Sequence, residues 1–390
     1  TASEIASCLV GSEMCIRDRC GYTSDDVLTA TFPLFHVAGT IIAGLSGFMA
    51  GLELLIMSPS GLRNPTVIEG FWRLAAKHKA TLLAGVPTAL GAVLQTSPGT
   101  QDISSVRAGL TGAALLPPAV KKQFKEVTGR ELFEILGMTE ASGLVSIDPP
   151  CGNGNAGSVG WNLPYTQVDV LRPNADDSLG KVCEVGEIGI IAIRGAHVSP
   201  GYSNSKHDEG VFNQGVLNSG DLGYKDAQGC LYIAGRSKDL IIRSGHNIDP
   251  AMIENAMSTH PAVMLAAAVG MPDAYAGEVP ICFLQLQKGH EASVEDLQQH
   301  AQNTIDERPA WPKIIQVIDE IPLTTVGKIY KPSLRCEAVK LKVTDLVQNE
   351  LSLTNSKIDV VARGKRAVSY THLRAHETRG NLVCRLLLEK

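Results

Sequence analysis

Between Val27 and Leu136, apolar runs of strand length alternate with segments of helical periodicity, and this alternation constrains the fold more than any other feature. VLTATFPLF, LELLIM, ATLLAG, VRAGLT and ELFEIL read as buried strands. Between them, Asn64-Pro65 supplies a capping side chain followed by proline at a first helical position, and Val67, Ile68, Phe71, Trp72 and Ala75 recur at helical spacing. PTALGAVLQ and PAVKKQFKEVTG read as further helices. A βαβα order of this kind predicts a mostly parallel sheet covered by helices. Ligands of such sheets sit at the carboxyl ends of the strands, which directs attention to the loops after Thr111 and Leu136.

No formally charged residue occurs from Val27 to Leu52, a length that could span a bilayer. Pro33 and His36 interrupt the stretch, and Gly39, Gly44, Gly47 and Gly51 punctuate the rest, so it is read as strand VLTATFPLF, a glycine-rich buried helix VAGTIIAGLSGFM, and strand LELLIM. With 44% hydrophobic and 19% charged residues the chain is neither disordered nor fibrous. Its net charge of -5 leaves no basic excess to bind a polyanion, which argues against nucleic-acid binding. Nine scattered cysteines without a C-x-x-C pair argue against a disulfide framework or zinc site and fit a reducing compartment.

At 390 residues the chain can hold two or three domains. From Gln167 to Ala234 the texture changes to short strands and turns (QVDVL, EIGIIAIRG, LYIAG), which predicts an antiparallel or barrel-like β subdomain. After Gly235 a compact α+β block follows, with helix PAMIENAM, strands AVMLAAAVG and PICFLQL, and helix SVEDLQQHAQNTI. The two ends, Thr1–Arg19 and Ala367–Lys390, show neither helical nor strand periodicity and resemble translated sequencing-adapter read-through, so they are expected to lie outside the fold. The N-terminal stretch also fails as a signal peptide, because Glu4 and Glu13 flank only a short apolar run.

Seven short signatures fall in a fixed order: FPLFHVAG (Phe32–Gly39), TGAALLP (Thr111–Pro117), ILGMTEASG (Ile135–Gly143), GSVGWNLP (Gly157–Pro164), NSGDLGYKDAQG (Asn218–Gly229), GRSKDLIIRSGHNIDPAMIE (Gly235–Glu254) and PLTTVGKIYK (Pro322–Lys331). Together they resemble the adenylate-forming (ANL) superfamily, closest to its acyl-CoA synthetase branch of fatty-acyl or related carboxylate–CoA ligases. The resemblance implies an α/β fold: a partial large AMP-binding domain over residues 20–234, with mostly parallel sheets plus the β subdomain, and a small α+β C-terminal domain over 235–343. Residues 344–366 are then a C-terminal extension. It also implies ATP and Mg²⁺ as cofactors and coenzyme A as a substrate. The reaction joins a carboxylate to ATP as acyl-adenylate and then passes the acyl group to the CoA thiol. No nucleic-acid partner and no transmembrane segment is expected, and the place is cytoplasmic or peripheral to a membrane.

By the same resemblance, Glu140 is the Mg²⁺ ligand, a hard oxygen donor suited to that ion, and Thr139 offers a hydroxyl to phosphate. Gly137 and Met138 precede them in the nucleotide site. Gly112, Ala113 and Ala114 separate the adenine side from the acyl side. Asp221 accepts from the ribose hydroxyls, with Arg236 as a second ribose or phosphate contact, and an ionised carboxylate suits two neighbouring donors. Lys328 is the catalytic lysine, whose compact ammonium bridges the attacking carboxylate and the α-phosphate. His36 stands beside the acyl carboxylate. Lys238 is the hinge between large and small domains, and Ser244, Gly245 and His246 face CoA. Each feature has a plainer local reading: a helix cap for Thr139-Glu140, turns for Gly220–Gly223 and Gly245-His246, a solvated hairpin lysine for Lys328, a core histidine for His36.

Three departures stand out. The family's glycine-rich phosphate loop is absent, so the chain is expected to be a fragment that begins downstream of it and does not adenylate by itself. Leu136 stands where the family usually has an aromatic residue against adenine, and Leu115 where proline is usual. Two other readings remain: the same fold with another acceptor, such as a carrier protein or an oxygenase chemistry, and a non-catalytic nucleotide-binding protein. Asp177–Leu179 reads DSL, as in a carrier domain, but precedes the later motifs and is taken as a turn.

Overall fold

The computed structural model describes residues 12–150, 155, 157–174, 178–325, 327–347, 356–363, 366–373 and 382–387. Two compact units emerge: Thr1–Lys238 together with Thr325–Lys328, and Asp239–Thr324 together with Ile329–Lys390.

The first unit is built on a seven-stranded sheet in the order β2-β1-β3-β4-β5-β6-β7, where β1 is Val27–Thr29, β2 Glu53–Leu55, β3 Leu82–Gly85, β4 Ala108–Gly112, β5 Leu132–Met138, β6 Gly143–Ile147 and β7 Trp161–Asn162. The pairings from β2 to β5 are parallel and those of β6 and β7 antiparallel. Alternate residues feed opposite faces: Leu82 and Ala84 join one core with Leu28, Leu110 and Ile135, while Leu83 joins another with Phe71, Trp72, Leu90 and Phe124. The helix Pro65–Lys77 starts where Asn64 accepts from the Thr66 N–H at 3.0 Å, as the Asn-Pro pair predicts. The helix bearing Phe124 packs closely on β4, because a side chain at Gly109 would meet the Phe124 ring at 2.5 Å.

Two local expectations change. The glycine-rich run after His36 folds as a π-helix over Ala38–Leu45 and continues as an α-helix over Ser46–Ala50. The helix Ser12–Cys20 lies almost wholly in the Thr1–Arg19 stretch expected outside the fold, yet its Ile16 and Cys20 are fully buried in the first core. These two residues, one turn apart on one face, are buried, with Cys15 packed partly against the same core, and the surrounding charges hide the periodicity. Among the described residues, no helix is long and apolar enough to cross a membrane.

The region from Gln167 onward is an antiparallel sheet, running β11-β12-β10-β8-β9 with β13 also on β12. Here β8 is Gln167–Pro173, β9 Leu179–Val182, β10 Gly189–Arg194, β11 Phe212–Asn213, β12 Val216–Lys225 and β13 Leu231–Arg236. Asp177 of the DSL triplet lies outside the described residues. Buried Val168, Val170, Ile191, Ile193, Leu217 and Leu231 share a core with Leu136 of β5, so that leucine is a packing residue in this unit.

In the second unit, β14 (Ile241–Arg243), β15 (His246–Ile248), β16 (Val263–Asp273), β17 (Gly277–Leu286) and β18 (Ile314–Val317) form a sheet in which only the β17–β18 pairing is parallel. The helices Pro250–Met257 and Val294–Thr304 are capped by Asp249 and Ser293. Lys331, which opens the helix Lys331–Asp345, pairs with Glu254 at 2.8 Å, and Glu254 also accepts from the Ala268 N–H at 2.9 Å, tying both helices to β16. Within the C-terminal stretch, Ser356–Arg363, Arg366–Leu373 and Leu382–Leu387 pair as a three-stranded antiparallel sheet, although no strand periodicity is read from Ala367 onward.

Candidate nucleotide site

The loops after β4 and β5 lie side by side because their strands are hydrogen-bonded neighbours. Thr111 is fully buried and donates to the Gly85 carbonyl at 2.8 Å, fixing the end of β4. Gly112 has no room for a side chain, since a Cβ there would lie 2.4 Å from Ile135 Cγ1. Ala113 then turns the chain in the left-handed region at φ 73°, a conformation that costs a non-glycine residue on the order of 1 kcal/mol. Ala114 is exposed.

On β5, Gly137 passes so close to β6 that a Cβ would lie 2.5 Å from the Gly143 carbonyl oxygen. Met138 ends the strand half-buried, and Thr139–Ala141 form a single 3₁₀ turn with Thr139 exposed and Glu140 half-buried. Glu140 is held from β-subdomain residues: its carbonyl accepts from the Ser199 N–H at 2.8 Å and its Oε1 from the Tyr202 hydroxyl at 2.6 Å. Burial, and after it the Glu140 carboxylate, push the Tyr202 phenol up to about 12, so it stays a donor at neutral pH.

Asp221 is 9% exposed on β12 and lies directly opposite Arg236 on β13. Its backbone N–H donates to Ser219 Oγ at 3.1 Å, and Ser219 in turn donates to the Ile191 carbonyl at 2.7 Å. Arg236 Nε donates to Asp221 Oδ1 at 2.8 Å. Lys328 belongs to the same unit, on a segment whose Gly327 carbonyl accepts from Thr88 Oγ1 at 2.7 Å. Burial pulls the Lys328 ammonium below the usual lysine range and the Arg236 charge pulls it further, while Asp221 and Glu140 oppose both. His36 Nδ1 accepts from the Ala38 N–H at 3.2 Å, and burial followed by the Lys328 charge holds the imidazole below its ordinary value. Lys328 thus feels the charges of Arg236, Asp221 and Glu140, and His36 feels that of Lys328.

Glu134 is 6% exposed on β5, and burial pushes its carboxyl up to about 7 against the Lys121 charge and the Leu116 N–H. Lys238 closes the main stretch of the first unit, whereas Ser244, Gly245 and His246 belong to the second. There Ser244 and Gly245 make the two-residue turn between β14 and β15, both with positive φ (50° and 84°), as a tight hairpin requires. The Ser244 N–H donates to the Ala276 carbonyl at 2.7 Å, and His246 is exposed.

Tyr202, Ser199 and Thr88 escape the sequence reading. Ser-Pro-Gly-Tyr reads as a turn, and nothing in spacing joins it to a glutamate 62 residues earlier. Among the described residues, no group of three or more His, Cys, Asp or Glu is placed to hold a metal ion. The six described cysteines are free thiols; Cys20, Cys230 and Cys282 are buried, and burial pushes Cys20 up to about 12.

Residues 1–203 match the family of AMP-binding enzymes, and residues 252–328 match the AMP-binding enzyme C-terminal domain. The marinolic acid–CoA ligase of a Pseudoalteromonas species is 36% identical over 340 residues, covering 87% of this chain and 52% of that protein. The long-chain-fatty-acid–CoA ligase of Bacillus subtilis is 33% identical over 305 residues, covering 77% and 52%. The chain thus spans about half the length of these two relatives. Among solved structures, ATP-bound MatB from Rhodopseudomonas palustris superposes with a TM-score of 0.74 at 28% identity, covering 84% of this chain and 63% of that one. O-succinylbenzoate CoA synthetase from Bacillus subtilis, in complex with ATP and magnesium, gives 0.70 at 27% identity, covering 84% and 65%. With its motifs, its two-unit architecture and these matches, the chain belongs to the AMP-binding enzyme family of the adenylate-forming superfamily.

Proposed function

We propose that the whole protein is an ATP-dependent carboxylate–CoA ligase acting on a fatty or related aliphatic acid. The observation that carries the reading is the Asp221–Arg236 pair on facing strands, whose charges, with that of Glu140 just after β5, act on the Lys328 ammonium. A carboxylate that attacks the α-phosphorus of ATP must approach a polyanion, so the chief requirement is fixed positive charge and alignment.

In the first half-reaction a substrate carboxylate oxygen bonds to the α-phosphorus while the bond to the pyrophosphate oxygen breaks, giving acyl-AMP and pyrophosphate. Lys328, a half-buried ammonium, stabilises the charge shared between the attacking oxygen and the phosphate. Asp221 receives the ribose hydroxyls and Arg236 steadies that carboxylate or the phosphate. Gly112, Ala113 and Ala114 border the adenine, with Gly137 and Met138 on the neighbouring loop. His36, held largely neutral, lies beside the acyl carboxylate.

Magnesium suits this donor: it takes one or two carboxylates and keeps its remaining ligands as phosphate oxygens and water, so Glu140 would hold it without a closed cluster, while Thr139 would offer its hydroxyl to phosphate. When bound, the ion neutralises phosphate charge. In the second half-reaction the CoA sulfur bonds to the acyl carbon, the bond to AMP breaks, and the thiol proton leaves to solvent. Ser244, Gly245 and His246 line the CoA path, and Lys238 is the hinge between the two half-reactions. The names of the relatives, which include a long-chain-fatty-acid–CoA ligase, support the choice of acid and of CoA. A cytoplasmic place, where ATP and CoA are abundant, accords with the free thiols.

The test is product analysis with the whole protein, ATP, Mg²⁺ and a series of aliphatic acids, with CoA or hydroxylamine as acceptor. Equal amounts of AMP, pyrophosphate and acyl-CoA are expected. Hydroxamate without any thioester would replace CoA by another acceptor.

A further inference from the structure

We propose that Tyr202 is the positioning residue for the Glu140 carboxylate, fixing one oxygen so that the group is presented to the cation in a single orientation. The inference rests on the reading of Glu140 as metal ligand and extends it to a residue that no sequence motif singles out.

Glu140 sits on a 3₁₀ turn of only three residues and is half-buried, so neither a regular element nor dense packing restricts its rotamers. Its restraint comes from the segment after β10. The Tyr202 hydroxyl donates to Oε1 at 2.6 Å, and the Ser199 N–H holds the Glu140 carbonyl at 2.8 Å, so backbone and side chain are gripped by residues three apart. That segment is itself braced. The Tyr202 N–H donates to Asp208 Oδ1 at 2.8 Å, Ser199 Oγ donates to the Gly201 carbonyl at 2.9 Å, and the Tyr202 ring meets Phe212 edge-on at 5.2 Å. Gly201 leaves room for this brace, since a side chain there would lie 2.7 Å from Asp208 Oδ2 and displace that carboxylate.

A phenol facing a carboxylate can only donate, and one donated hydrogen bond leaves the carboxylate its charge while removing its rotational freedom. Ligating carboxylates oriented in this way bind metal better, and loss of such a partner costs about 10–100-fold in metal affinity.

The experiment titrates Mn²⁺, followed by electron paramagnetic resonance, into the whole protein holding α,β-methylene-ATP, and separately measures AMP binding without metal. Tyr202→Phe keeps the ring against Phe212 and should raise the Mn²⁺ dissociation constant about tenfold. AMP affinity and thermal midpoint should stay at the wild-type values. Glu140→Gln should weaken Mn²⁺ binding by itself, and the double variant should be no weaker than Glu140→Gln, since both changes act through one carboxylate. If Glu140→Gln weakens Mn²⁺ binding but Tyr202→Phe does not, the positioning role is wrong and the metal-ligand reading stands. If Glu140→Gln has no effect, that reading fails and the role of Tyr202 with it. If Tyr202→Phe weakens metal-free AMP binding as much as Mn²⁺ binding, Tyr202 is a structural residue and the proposal is overturned.

Discussion

Arg236 and Asp221 face each other across neighbouring antiparallel strands, with Arg236 Nε donating to Asp221 Oδ1 at 2.8 Å. The carboxylate side chain is 12% exposed and the guanidinium side chain 60%, so the arginine acts as a partly solvated brace on a nearly buried acid. That asymmetry suits an acid that must remain ionised and oriented to receive a ligand's hydroxyls.

Asp221→Asn keeps the shape and removes the charge. Hydrogen bonds to charged groups contribute about 1.5–3 kcal/mol, so AMP affinity should fall about 10–100-fold. Calorimetric titration with AMP and with 2′,3′-dideoxy-AMP checks this: the variant should lose most of its preference for the ribose hydroxyls. An unchanged preference would remove Asp221 from the ribose.

Lys328→Ala should slow acyl-AMP formation by about 10²–10³. Thioester formation from supplied acyl-AMP should change far less, because the ammonium is needed while the α-phosphorus is attacked. Rapid-quench measurement of the two half-reactions separates these cases, and equal losses in both would give Lys328 a structural role.

Glu134 makes stability fall as pH rises. Its folded carboxyl titrates at about 7 against an ordinary 4.5, chiefly through burial, so the folded state holds the proton more tightly than the unfolded chain. This contribution is fully present below about 4.5 and is lost as pH rises through about 7, at a cost of up to about 3 kcal/mol. Glu134→Gln, which cannot ionise, should flatten this part of the profile in urea unfolding. A variant as pH-dependent as the wild type across that window would contradict the assignment.

Asp26 does the reverse. Burial would raise its carboxyl, but hydrogen bonds from Arg107, Thr81 and the Thr23 N–H outweigh it and hold the group at about 2. Its contribution is therefore present above about 3.8 and is lost as pH falls through about 2. Asp26→Ala leaves Arg107 Nε, bonded to it at 2.7 Å, without its acceptor. The loss should be about 3 kcal/mol, below the full cost of breaking a wholly buried pair because Arg107 is partly exposed. Asp26→Ala/Arg107→Met should be less destabilised than the sum of the single changes.

Much of the first unit is legible in the sequence because burial and periodicity coincide there. Asn64-Pro65 marks a helix start that the fold uses, and Leu82–Gly85 reads as a buried strand because both faces are covered. The π-helix over Ala38–Leu45 is not legible, since an uncharged run reports burial and not the number of residues per turn. The helix Ser12–Cys20 is masked by charge around its two buried residues. Among the candidate site residues, those on contiguous signatures such as Thr139-Glu140 are visible, whereas Tyr202 meets Glu140 only through the tertiary path of the chain.

The most direct test of the central claim is exchange of labelled pyrophosphate into ATP by the whole protein with an aliphatic carboxylate and no CoA. Exchange is expected to require both the carboxylate and Mg²⁺ and to drop about 10²-fold or more in Lys328→Ala. Absence of exchange with every acid in a chain-length series, from a wild-type protein that binds AMP, would contradict it.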